Sequence, residues 1–126
     1  MKRELAAALL LALLFLGSLW NLRCLDRLIG RLEQETEESI QYARNGDFSS
    51  AEQALDRAVD RWVAANSYTH IFIRHPEIDA TSDAFFDLKG LLGEQNLPAA
   101  EAAYRRLCYH LDSIDEMEHL RLGSIL

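Results

Sequence analysis

The side chains best able to bind a ligand or move a proton are gathered in His70-Ile-Phe-Ile-Arg-His-Pro-Glu-Ile-Asp79. On a continuous helix His75 and Asp79 lie four residues apart on one face. That spacing suits a divalent cation, or a carboxylate that orients an imidazole. Asp83 and Asp87 continue the interval and extend the carboxylates into a stripe. Like charges so spaced oppose one another unless a cation or a basic side chain offsets them. A structural zinc site needs four ligands and this segment offers two, so a hydrogen-bonded kink at Pro76 is the stronger reading and no metal ligands are assigned.

Other chemistries have less support. Cys108 stands between Leu107 and Tyr109, the setting of a packed thiol. Cys24 follows Arg23, where a lipoprotein signal would place a small residue. The sequence has no G-x-S-x-G, no glycine-rich phosphate loop and no H-E-x-x-H, so no catalytic residues and no cofactor are expected, and the protein reads as a non-enzyme. With 13 basic and 20 acidic residues the net charge is −7, which argues against nucleic acid as a partner. Trp62, Tyr68, Phe72, Phe85 and Phe86 read as core aromatics; Phe85 and Phe86 are adjacent and cannot both face one core, so one of them marks an exposed contact.

The elements that must position these groups are helical. No ionisable side chain occurs between Glu4 and Arg23, and the intervening run is rich in Leu and Ala. Its 18 residues span about 27 Å as a helix, close to the hydrocarbon core of a bilayer. Gly17-Ser-Leu-Trp-Asn-Leu22 makes a poor cleavage site, and Trp20 suits a membrane interface, so residues 1–22 are expected to be a cytoplasmic tail and an uncleaved signal anchor. Lys2 and Arg3 on one side nearly balance Arg23, Arg27 and Arg31 on the other. The usual signal-anchor layout then places the remaining domain, residues 23–126, outside the cytoplasm of a single-pass cell-membrane protein.

Within that domain, Leu22, Leu25, Ile29, Leu32, Thr36, Ile40 and Ala43 recur at steps of three and four, and the membrane helix is expected to run on into this stripe without a joint. Glu33, Glu35, Glu37 and Glu38 read as a solvated face. Asn45-Gly-Asp47 ends this helix and caps the next, which runs roughly from Phe48 to Ala65. A further helix is expected from about Tyr68 to Glu94, kinked or broken at Pro76, and another starts at Pro98. The tail from Glu116 is expected to be a short turn of helix packed back on the bundle. Phe48-Ser-Ser-Ala51-Glu-Gln-Ala54-Leu55 matches Leu97-Pro-Ala-Ala100-Glu-Ala-Ala103-Tyr104, a weak repeat with the A-x-x-A spacing of tetratricopeptide-like hairpins. Two such hairpins fold on each other, so the expected architecture is all-α, an anchor helix followed by an antiparallel bundle of about four helices. In that bundle Cys24 and Cys108 stand at different heights, and both are expected as free thiols.

The basic tail and apolar helix, the junction Asn45-Gly-Asp-Phe-x-x-Ala51, Trp62, the segment Ile73-x-His75-x-Glu77-Ile-Asp79 and the Leu-rich last helix together resemble the bacterial domain-of-unknown-function 4363 family. Its members are short single-pass membrane proteins, largely of Gram-positive lineages. The resemblance spans nearly the whole chain, with Pro76 a departure from it. It implies membrane anchoring and an all-helical soluble part, and it brings no activity. The expected function is a non-catalytic interaction or accessory module. Its partners are the lipid bilayer and another membrane protein, and its contacts lie on His75, Glu77, Asp79, Asp83 and Phe86. The alternative is a ligand- or divalent-cation-sensing domain that uses His75 with Asp79, Asp83 and Asp87.

Overall fold

The computed structural model describes residues 1–65 and 75–125. They form four helices: α1 (Lys2–Arg44), α2 (Phe48–Ala64), α3 (His75–Gly93) and α4 (Leu97–Ile125). There is no strand among the described residues.

As expected, α1 is a single helix of 43 residues that carries the apolar run and the first amphipathic stripe without interruption. Leu and Ala are strong helix formers, and no proline occurs before Pro76, so nothing in α1 opposes continuation. Ser18, the one hydroxyl in the apolar run, donates to the Leu14 carbonyl at 2.9 Å and so keeps its polar atom satisfied within the helix.

Two turns of the same construction close the hairpins. After α1, Gly46 adopts φ +83°, its N–H donates to the Ala43 carbonyl at 3.0 Å, and the Asp47 N–H donates to the Tyr42 carbonyl at 2.9 Å. After α3, Gln95 adopts φ +56°, its N–H donates to the Leu92 carbonyl at 3.1 Å, and the Asn96 N–H donates to the Leu91 carbonyl at 3.1 Å. The carboxylate of Asp47 then accepts from the Ser50 N–H at 3.1 Å, and the amide oxygen of Asn96 accepts from the Ala99 N–H at 3.4 Å. Bonding to Ser50 holds the Asp47 carboxyl below its ordinary pKa. The repeat read from the Ala spacing is therefore a repeat of turn, cap and helix start.

The hairpins α1–α2 and α3–α4 pack side by side, with α1 also against α4 and α2 against α3, which closes a ring of four antiparallel helices. Leu32, Ile40, Leu55, Phe85, Leu88, Leu92, Leu107 and Leu111 fill its centre, each almost completely buried. Ala51, Ala54, Ala58, Ala100 and Ala103 are buried where helices approach closely. Ser39 crosses from α1 to donate to the Ala51 carbonyl at 2.6 Å, so a buried hydroxyl ties the first hairpin together.

One expectation is corrected. The segment after Glu116 does not turn back on the bundle: α4 continues through it to Ile125, because no Gly-Pro or Asn-Gly stop signal intervenes. Leu120 on it is 73% exposed. Pro76, where a kink or break is expected, stands at the start of the helix that the structure describes. It lies in the first turn of α3, where a missing N–H costs no helical bond. The part of the expected helix from Tyr68 to Arg74 lies outside the described residues.

Glycines provide a test. Gly46 needs a left-handed backbone, so Gly46→Ala is expected to lower the unfolding free energy by about 1 kcal/mol. Gly30 lies mid-helix, with open space where a Cβ would stand. Gly30→Ala is therefore expected to raise the unfolding free energy by about 0.5–1 kcal/mol. Urea unfolding of the full chain in detergent micelles, followed by circular dichroism, measures both.

Candidate functional site

The face expected to carry contacts lies on α3. With Ile78, Thr81, Phe85, Leu88 and Leu92 turned into the core, helical geometry sends Asp79, Asp83, Phe86 and Asp87 outward, and all four are exposed. Glu77 is half-buried. His75 supplies the first residue of α3, and its imidazole lies outside the described part of the structure, as do Tyr68 and Phe72. The adjacent pair Phe85 and Phe86 divides as geometry demands. Phe85 is 1% exposed and stacks at a tilt against Trp62 with ring centroids 6.1 Å apart, whereas Phe86 is 56% exposed. The Trp62 Nε1–H donates to Ser82 Oγ at 2.9 Å, so the indole is satisfied inside the core rather than lining a pocket.

Two of the three aspartates share a cleft with basic side chains of another helix. Asp83 and Asp87 line a shallow cleft of about 210 Å³ with Arg106 and His110 of α4, over a floor of Ala80, Ala84 and Ala103. Among the described residues no three His, Cys, Asp or Glu side chains converge in a way that would hold a metal ion. The small floor residues let the two helices approach, and the longer polar side chains line the rims. Arg106 and His110 were missed as members of this site. Their spacing from Ala103 marks them as flanking the inward face of α4, but only the packing register brings them opposite Asp83 and Asp87.

A second gathering of carboxylates was also missed, since Glu33 and Glu35 read as part of a solvated run. Glu37 and Glu38 are exposed as expected. Glu35 instead reaches α2, where Arg61 donates to its Oε1 through Nη2 at 2.7 Å and through Nε at 3.1 Å. Glu33 faces α4. Burial first, and then the hydrogen bond and charge of Asp112 and the charge of Asp115, push its carboxyl up to about 7. The cause is cross-helix packing, which no local pattern within α1 reveals.

Farther down the same interface, Arg44 Nε meets Glu101 Oε1 at 2.6 Å. Glu33 and Arg44 are eleven residues apart, as are Glu101 and Asp112, so these contacts fix the antiparallel register of α1 and α4. Cys24 and Cys108 are both free thiols, as expected. The register sets Cys108 near the height of Glu37, about 20 Å along the axis from Cys24. Burial raises the Cys108 thiol above its ordinary pKa, so the thiolate needed for nucleophilic attack is disfavoured. Burial and a hydrogen bond to the Cys108 sulfur likewise raise its neighbour Tyr104, to about 12.

The arrangement defines an all-α protein: a four-helix antiparallel bundle made of two hairpins, with an apolar extension of its first helix. The chain belongs to the family described as Domain of unknown function (DUF4363), whose model matches residues 19–125. No curated protein and no solved structure matches it. The family match covers the bundle and leaves nearly all of the apolar run outside.

Glu33 yields a pH dependence of defined sign. Its folded pKa is raised, so the folded chain holds a proton that the unfolded chain releases near pH 4.5. The stability it contributes is full below about pH 4.5 and is lost as pH rises to about 7. Glu33→Gln is therefore expected to raise the urea midpoint relative to the parent at pH 8 and to leave it nearly unchanged at pH 4.

Proposed function

We propose that the protein is a single-pass membrane protein whose helical bundle is a non-catalytic interaction module for another membrane protein, held outside the cytoplasm. The observation that carries this reading is the uninterrupted α1. Around the whole circumference of its first half, side chains from Leu5 (71% exposed) to Leu16 (61% exposed) meet no other part of the chain. Apolar surface on that scale is strongly unfavourable in water and is relieved by lipid. The second half of the same helix is one wall of the bundle, so the anchor holds the bundle beside the bilayer.

The contact surface for the partner is the outer face of α3, with Phe86 as the apolar anchor and Glu77, Asp79 and Asp83 around it. An exposed aromatic ringed by charge is the composition of a contact point with a polar rim. The buried, satisfied Trp62 and the protonated Cys108 support a module without catalysis. The sensing alternative draws less support, because Arg106 and His110 already face two of the three aspartates that a cation would need.

Three experiments test the reading. The full chain is expected to stay with the membrane fraction after carbonate extraction, and release into the soluble fraction would overturn the anchor. A photo-crosslinking residue in place of Phe86 is expected to capture the same membrane protein reproducibly in intact cells. Asp83→Lys should reduce that capture severalfold, and capture unaffected by it would refute the assignment of this face. Millimolar calcium or magnesium is expected to leave the melting temperature unchanged within a degree; a rise of several degrees that is lost in Asp79→Asn would favour the sensor instead.

A further inference from the structure

Arg23, Arg27 and Arg31 follow the apolar run at intervals of four and stand exposed on the side of α1 opposite the buried Leu25, Ile29 and Leu32. Between Glu4 and Glu33 the sequence has one carboxylate, Asp26, so this stretch is net positive in a chain of net charge −7. Four cations farther from the anchor are spent on internal ties: Arg44 to Glu101, Arg57 to Glu38, Arg61 to Glu35 and Lys89 to Asp56. Arg23, Arg27 and Arg31 make no such ion pair among the described residues.

We propose that these three arginines form a binding surface for the phosphate groups of anionic lipids, a reading that rests on α1 being a membrane anchor. Taking Leu22 as the end of the apolar span, the helical rise sets Arg23, Arg27 and Arg31 about 1.5, 7.5 and 13.5 Å beyond it. The headgroup layer on one side of a bilayer is about 5–8 Å thick, so Arg23 stands within it, Arg27 at its outer edge and Arg31 roughly 6 Å beyond. Long arginine stems let the guanidinium reach back toward that layer, and its planar fork matches phosphate oxygens with two parallel bonds. The stripe points directly away from α2 and α4, so the carboxylates of the bundle do not cancel it.

An independent observation sets the same level against lipid. The register that pairs Glu33 with Asp112 places Met117 and Leu120 of α4 near the heights of Leu28 and Leu25, and these apolar side chains are 42% and 73% exposed. Trp20, 69% exposed, stands one turn nearer the membrane on the arginine face. Basic, indole and aliphatic side chains along the same three helical turns are the composition of a membrane-interface surface.

The test is lipid selectivity of the full chain reconstituted in phosphatidylcholine vesicles with a trace of spin-labelled phosphatidylglycerol or phosphatidylcholine. The expected result is about fivefold stronger association of the phosphatidylglycerol label, from the attraction of a basic side chain near an anionic surface. Arg23→Gln with Arg27→Gln and Arg31→Gln should bring the ratio close to one, as should 1 M salt, while Lys2→Gln with Arg3→Gln should leave most of it. Equal association of both labels with an inserted, carbonate-resistant chain would overturn the lipid site alone, and so would a preference that the triple variant retains. A chain that does not insert would overturn the anchor reading and this proposal with it.

Discussion

The unbroken hydrogen-bond ladder of α1 is the constraint on which the other elements depend. One helix passes from a segment whose side chains meet nothing in the fold to a segment whose Leu25, Ile29, Leu32, Ile40 and Ala43 are almost wholly buried. A glycine- or proline-rich joint between the two would let the bundle swivel, and α1 has none; Gly17 and Gly30 both lie inside regular helix. The direction of the first half therefore sets the direction of the second. With lipid around the first half, as proposed, the bundle is held at a fixed height and rotation rather than tethered. That fixed geometry is also why residue spacing beyond Leu22 can be read as depth.

Within the ring, apolar burial and polar ties do different work. Each fully buried Leu, Ile or Phe is worth about 1.5–3 kcal/mol relative to exposure, whereas an exposed ion pair contributes roughly 0–1 kcal/mol. The core thus holds the helices together. Arg44–Glu101 and Lys89–Asp56, both substantially exposed, set which residues face one another. The contact between Glu33 and Asp112 is opposed to this scheme, because it brings like groups together at a half-buried position and is relieved only by a proton. Its place in the α1–α4 interface makes that the wall of the ring that weakens as pH rises from about 4.5 to about 7.

Local signals carried most of the architecture. The Ala51, Leu55, Ala58, Val59 and Trp62 stripe and the Gly46 turn with its Asp47 cap are decided by neighbours within a few residues and appear as read, and the last helix starts at Leu97, one residue before Pro98. The tail from Glu116 was misjudged because its mixed polarity reads as a loose end, although it has no stop signal and α4 simply continues. What the pattern could not carry is pairing across helices. Glu33 and Glu35 look alike in sequence, yet one meets Asp112 and the other Arg61. Arg106 and His110 join the aspartate face only through the register of α3 against α4. On α3 the Asp79, Asp83, Phe86 face was legible because a 3.6-residue period fixes which side is outward, whereas the neighbours across the cleft were not.

Phe86 is the residue on that face whose type the fold does not require. Because consecutive helical residues point about 100° apart, burying Phe85 against Trp62 forces position 86 outward whatever it carries. A charged or polar side chain there would be solvated at no cost to the core, as at the neighbouring Asp87. Phenylalanine at 56% exposure instead keeps apolar surface in water, without compensation from the bundle. A lone exposed aromatic carries little weight by itself. Flanked by Asp83 and Asp87 on a rigid helix, it has the form of an apolar contact whose surroundings stay wet, and under the proposed function the gain that offsets its exposure comes from the partner's surface.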